Sequence, residues 1–261
     1  MQLKDQIVIV TGAGRGIGLA IAEGMGREGA RVVIGELILD RGEDAAAQLR
    51  ASGFDAVAIQ LDITQPASCR AIVERVRHDF GRLDVLVNNA GLFALHKSED
   101  MPEEAWRLQI DVMLNGTFFM TQAAAQIMIP QHSGSIVSIA SIGGMGGWPM
   151  RSAYNAAKAA VINLTETLAG EWAQYGIRVN AVSPGVTRTE MMADLIRRGI
   201  SADKYANRTP IGRVAEVEEI ASAVCFLASN RASYITGENL RVDGGWVPWA
   251  NMNALGFPET E

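Results

Sequence analysis

"QIVIVTGAGRGIG", residues 6–18, is the stretch whose reading decides the fold. A short run of β-branched residues ends in a cluster of glycines, and after Gly16 the apolar spacing becomes that of a helix. Glycines let the backbone turn tightly and approach a ligand, and a helix beginning at such a turn aims its unpaired N–H groups at an anion. Strand, glycine turn and helix N-terminus in this order form the pyrophosphate-binding element of a dinucleotide fold. Gly12, Gly16 and Gly18 give G-x-x-x-G-x-G, with Gly14 as an extra, and so depart from the common G-x-G-x-x-G. Taken alone, the cluster also fits a plain strand-to-helix turn.

The rest of the chain supplies the context. Strand-like runs recur as "ARVVIGE" (30–36), "DAVAIQ" (55–60), "DVLVN" (84–88), "GSIVSIA" (134–140), "IRVNAVS" (177–183) and "NLRV" (239–242). Helical stretches lie between them, beginning near Gly16, Asp40, Pro66, Pro102, Asn115, Ser152 and Glu216. Such alternation implies βαβ units with right-handed crossovers. The expectation is an α/β Rossmann fold: a doubly wound, seven-stranded parallel sheet flanked by helices. No linker or repeat divides the chain, so residues 1–261 are expected to form a single dinucleotide-binding and catalytic domain. Two regions leave the pattern, a substrate-loop region over 186–212 and a tail over 244–261.

Composition narrows the function. The 261 residues are 48% hydrophobic and 20% charged, which suits one α/β core. A formal net charge of −6 and the absence of any basic run exclude a nucleic-acid partner, whose affinity needs clustered Lys and Arg. Cys69 and Cys225 lie far apart in apolar surroundings and read as inert core thiols of a reducing compartment. The first strand leaves no room for a signal peptide, and no apolar run is long enough for a bilayer. A cytoplasmic protein without membrane contact is expected.

The nucleotide end can be followed through the later strands. The second strand closes on Glu36, about 20 residues beyond the glycines, where a carboxylate accepts hydrogen bonds from the adenosine ribose. A carboxylate there repels a 2′-phosphate, so NAD is favoured over NADP. Arg15 pulls the other way, since a basic side chain beside the phosphate loop can pair with that phosphate. Asp62, at the end of the third strand, is placed to hold the adenine amino group. In "VNNAG" (87–91) small residues let a cofactor lie against the sheet edge.

The chemical end is "SAYNAAKAAV", residues 152–161. Tyr154 and Lys158, four apart, share a helix face, and a nearby ammonium favours the phenolate and lowers the tyrosine pKa. A tyrosine so tuned serves as general acid or base near neutral pH. Ser141 follows the fifth strand at the carboxyl end of the sheet, where clefts open, and is placed to hold a substrate oxygen; Ser138 is its rival earlier in the strand. Asn115 is an amide in the apolar stretch "VMLNGTFF" (112–119) and needs partners, which a proton-relaying water toward Lys158 would supply. Each of these residues alone has an ordinary structural explanation. Their combination behind a dinucleotide element points to an oxidoreductase.

Together, "TGAGRGIG", "NNAG", Asn115, Ser141, "YNAAK" and "SPGVTRT" (183–189) resemble the short-chain dehydrogenase/reductase family, over about residues 6–246. The resemblance implies a catalytic tetrad of Asn115, Ser141, Tyr154 and Lys158. It implies cofactor contacts from Gly12, Gly16, Ile17, Gly18, Asp62, Asn89, Ala90 and Gly91, with Glu36 and Arg15 at the adenosine end and Ile63 packing beside the adenine. Tyr154 and Lys158 are then shared with the nicotinamide ribose, and the stretch with Pro184, Gly185, Thr187 and Thr189 serves the carboxamide. No metal is expected. The implied activity is hydride transfer between a nicotinamide cofactor and a secondary alcohol or its ketone, in a homotetramer.

For the substrate, the loops offer Phe93, Leu95, His96, Ile142, Met145, Trp148, Met150, Met191 and Met192. Ser141, Tyr154, His96, Trp148 and Met191 are taken as the contacts. The set carries little charge, so a neutral or weakly polar alcohol, such as a polyol, sugar or cyclic alcohol, is expected rather than an anion. An NADPH-dependent 3-oxoacyl-(acyl carrier protein) reductase ranks second, because "IPQHSG" (129–134) and Tyr175 hold no Lys or Arg to dock an acidic carrier. A non-catalytic nucleotide-sensing scaffold ranks last, since all four tetrad residues are present. Trp246, Trp249 and Phe257 are too many aromatics for a free tail, which is expected to pack on a neighbouring subunit.

Overall fold

The computed structural model describes residues 1–197 and 201–248. Seven strands, all paired in parallel, lie in the order β3-β2-β1-β4-β5-β6-β7. They are β1 (Ile7–Thr11), β2 (Arg31–Glu36), β3 (Ala56–Gln60), β4 (Val85–Asn88), β5 (Gly134–Ile139), β6 (Ile177–Pro184) and β7 (Asn239–Val242). The helices are α1 (Gly16–Arg27), α2 (Leu39–Ala51), α3 (Pro66–Phe80), α4 (Glu103–Ile110), α5 (Gly116–Gln131), α6 (Ser152–Trp172), α7 (Glu190–Arg197), α8 (Ala202–Arg208) and α9 (Val217–Ala228). The expected Rossmann architecture is therefore observed, with two short helices, α7 and α8, in the loop region after β6.

Both faces of the sheet are covered, which is why the strands read as nearly continuous apolar runs. Successive side chains alternate between two cores. Val8 and Val10 join Val32, Ile34 and Val137 against Ile21, Met25, Ile220 and Val224. Ile7 and Ile9 join Val33, Leu86 and Ile136 against Ile72, Val76, Met120 and Met128. Local signals set the helix ends. Pro66 occupies the first turn of α3, where its missing N–H costs nothing, and Gly81 closes that helix at φ +75°. Glu216 and Glu219 form a reciprocal capping box at the start of α9.

Strand order reverses between β1 and β4, so the loops at their carboxyl ends diverge and open a crevice. Between α4 and α5 the helix widens into a π turn, Asp111–Asn115, which packs against α6. Cys69 and Cys225 are free, and burial pushes their thiols up to about 11 and about 12. No helix among the described residues is long and apolar enough to cross a membrane.

Candidate active site

One cleft of about 1210 Å³ runs along the carboxyl edge of the sheet. At its nucleotide end, Gly12 turns at φ +63° with its α-carbon face against Ala90, where a Cβ would come within 2.8 Å of the Ala90 Cα. Gly16 turns at φ +58° and opens on empty space. Asn89 holds this loop: its side-chain amide donates to the carbonyls of Thr11 (2.9 Å) and Gly12 (3.0 Å), and its backbone N–H donates to the Thr11 hydroxyl (3.0 Å). The "NNAG" segment thus braces the glycine turn across 78 residues of chain.

Glu36 ends β2 almost fully buried, and its carboxylate accepts from the Gly14 N–H (3.1 Å) and from the Arg41 guanidinium (2.5 Å). Arg41 was not singled out in the sequence, because nothing in "LILDRGED" shows that α2 turns it back onto β2. Arg15 instead pairs with Glu190 of α7 at 2.6 Å, and both side chains line the cleft. Asp62 accepts from the Thr64 N–H (2.9 Å) and hydroxyl (2.6 Å). All the sequence-derived cofactor contacts, from Gly12 through Gly18, Glu36, Asp62 and Ile63 to Asn89–Gly91 and Pro184–Thr189, line this one cleft. A buried carboxylate beside a glycine cradle that a Cβ would fill suits an adenosine ribose and a pyrophosphate.

At the chemical end, Ser141 follows β5 and caps a short turn, accepting from the Gly143 N–H at 3.0 Å. Ser138 is buried within the strand and accepts from the Asn88 amide at 3.3 Å, so Ser141 is the serine that reaches the cleft. Tyr154 and Lys158 lie on one face of α6. The Lys158 ammonium donates to the Ile139 carbonyl at 2.6 Å and sits 5.9 Å from the Tyr154 ring centroid. Burial pulls the Lys158 ammonium down to about 8. The expected depression of the Tyr154 pKa by Lys158 is not what the structure gives. Burial raises the phenol, and the opposing pulls are a hydrogen bond with Ser141 and the charge of Arg151.

Asn115 ends the π turn, and its amide donates to the Asp111 carboxylate at 2.8 Å. It is not among the residues lining the cleft, although its turn packs against α6. Of the substrate candidates, Phe93, Leu95, Ile142, Trp148, Met191 and Met192 line the cleft. His96, Met145 and Met150 are not in that lining; the His96 N–H donates to the Met150 carbonyl. Arg151 and Tyr205, which the sequence reading did not select, stand in the wall. Trp246 is buried and stacks on Trp148 with centroids 5.1 Å apart, whereas Trp249 and Phe257 lie outside the described residues.

A family model described as enoyl-(acyl carrier protein) reductase matches residues 12–247 of this chain. The chain belongs to the short-chain dehydrogenase/reductase family. Like the family, it is an oxidoreductase that uses NAD(P) and acts on CH–OH donors. Among its short-chain dehydrogenase/reductase relatives, 2-(S)-hydroxypropyl-CoM dehydrogenase 3 of Xanthobacter autotrophicus is 40% identical over 248 residues, 94% of this chain and 97% of the relative. The 3-oxoacyl-(acyl-carrier-protein) reductase FabG of Escherichia coli is also 40% identical over 248 residues, 94% of this chain and 98% of its own. A short-chain type dehydrogenase/reductase from Mycobacterium marinum superimposes with a TM-score of 0.89 at 33% identity, covering 94% and 96% of the two chains.

Proposed function

We propose that this protein oxidises a secondary alcohol to its ketone with NAD, and reduces the ketone in the reverse direction. The observation that carries the reading is the juxtaposition of Ser141, Tyr154 and Lys158 at one end of a cleft whose other end presents the buried Glu36 beside the glycine turn. Glu36 and Asp62 hold the adenosine half, Gly12 to Gly18 the pyrophosphate, and Lys158 with Pro184 to Thr189 the nicotinamide half. When bound, the nicotinamide supplies the hydride acceptor or donor, which no side chain can replace.

In the oxidative direction Tyr154 takes the hydroxyl proton as the carbinol C–H bond breaks, leaving the C=O bond of the ketone. Ser141 holds the same oxygen and offsets the negative charge that develops on it. Lys158 keeps positive charge close to the tyrosine and is fixed there by the Ile139 carbonyl. Asn115 enters as a positioning residue, because the π turn it closes packs on the helix that carries Tyr154. Glu36 favours NAD over NADP by repulsion of a 2′-phosphate. Two exposed apolar side chains, Trp106 on α4 and Phe118 on α5, support a homo-oligomer such as the tetramer that the family resemblance implies.

The test is NADH formation from NAD across secondary alcohols, sugar alcohols and cyclic alcohols, with NADP and Tyr154→Phe in parallel. Tyr154→Phe is expected to lose about 10²–10⁴-fold in kcat while its NADH affinity stays within a few fold. Near-normal turnover in that variant sinks the mechanism. The second reading, a 3-oxoacyl-(acyl carrier protein) reductase, is favoured by the Escherichia coli relative. Activity on a carrier-protein thioester well above that on small ketones would reverse the order.

A further inference from the structure

Arg151 stands immediately before α6, three residues from Tyr154 and on the same side of the helix. Its guanidinium lies over the Trp148 ring (4.6 Å to the centroid) and over the Phe93 ring (5.2 Å). One of its terminal nitrogens donates to the Tyr205 hydroxyl at 3.2 Å, while its Nε is buried without a hydrogen-bond partner. Every carboxylate in the cleft wall is already engaged: Glu36 with Arg41, Asp62 with Thr64, Glu190 with Arg15, and Asp194 with Arg197. Arg151 has no acidic partner among the described residues.

The placement is electrostatically costly as it stands. A helix N-terminus already carries a partial positive charge, which favours an acidic residue and disfavours a cation. The first turn of the 21-residue α6 has no acidic residue to compensate. The guanidinium is half-buried against the Trp148 and Phe93 rings, and an unused N–H on its fork matches a planar anion. Phe93 links this group to the chemistry, since the same ring meets the Tyr154 ring edge-on at 5.2 Å. The guanidinium and the catalytic phenol are thus one phenyl ring apart.

We propose that Arg151 binds a carboxylate of the substrate, so that the enzyme takes short hydroxy- or oxocarboxylic acids whose acid group lies a few bonds from the reacting carbon. This rests on the alcohol-oxidising reading and departs from the expectation of a neutral substrate, which was drawn from loop residues that did not include Arg151. Trp148 and Phe93 enclose the apolar atoms between the two polar ends. Helix α6 then grips the substrate twice, at the acid through Arg151 and at the reacting oxygen through Tyr154.

The experiment uses the full chain, with Arg151→Gln and Arg151→Lys beside the wild type. Benzoate and benzamide are titrated calorimetrically into the NADH-bound protein, and kcat/KM is then measured for hydroxycarboxylates, each paired with its primary amide. The wild type is expected to prefer acid over amide by roughly thirtyfold or more. In Arg151→Gln that preference is expected to fall by a similar factor through KM, and Arg151→Lys is expected to recover part of it. Equal binding of benzoate and benzamide by the wild type, or a preference unchanged in Arg151→Gln, overturns the proposal. If Arg151→Gln does not fold, the wild-type pair and Arg151→Lys decide. Failure of the wild type to oxidise any alcohol would sink the alcohol-oxidising reading, and the benzoate titration would still decide the anion site.

Discussion

The Lys158 ammonium donates a 2.6 Å hydrogen bond to the Ile139 carbonyl, which ties the second turn of α6 to the end of β5. That bond fixes Tyr154, one turn earlier on the helix, against Ser141, two residues beyond Ile139. Burial disfavours the charged form, so the ammonium titrates near 8 instead of its ordinary 10.5. Between these values the unfolded chain binds more protons than the folded one, so stability rises with pH there. We expect the unfolding free energy of the wild type, relative to Lys158→Met, to be flat below pH 8 and to climb from pH 8 toward 10.5. Urea titrations of both proteins at pH 7, 8, 9 and 10 measure this difference; a constant or falling difference refutes it.

Glu36 and Arg41 form one unit at the adenosine end. The carboxylate repels a 2′-phosphate, whereas the guanidinium attracts one, and their ion pair holds both in place. Glu36→Ala removes the repulsion and frees Arg41, so the ratio of kcat/KM for NAD over NADP should fall about tenfold or more. Arg41→Ala should move the same ratio upward. Equal ratios in both variants and the wild type would assign nucleotide choice to other residues.

The glycine turn yields a prediction that separates strain from binding. Gly12→Ala adds a Cβ in the left-handed region and against the Ala90 backbone, so it should cost about 1–3 kcal/mol of stability and weaken NADH binding. Gly53→Ala adds a Cβ at φ +86° with nothing within 4 Å, far from the cleft. It should lose some stability and keep its NADH affinity. Denaturant unfolding and NADH fluorescence titration distinguish the two, and equal NADH affinities would refute the role of the Gly12 turn.

Much of the site was legible because its signals are local. Each strand run and each helix start falls within a residue or two of its observed place, since period, proline and glycine act over neighbouring residues. The choice of Ser141 over Ser138 followed from position along the strand alone. Asn115 was harder. Its sequence shows an amide in an apolar helix, but not that the helix widens there and turns the amide onto Asp111.

By itself the sequence determined the doubly wound sheet, the glycine turn and the spacing that sets Tyr154 and Lys158 on one helix face. Those features depend on backbone preferences and on periodicity, which a chain carries residue by residue. The tertiary structure alone decided which charges meet. It gave Glu36 to Arg41 and Arg15 to Glu190, buried Trp246 against Trp148, and set Arg151 against two rings with no acidic partner among the described residues. Long side chains can reach partners on several elements, and the dielectric around each pair exists only once the elements have packed.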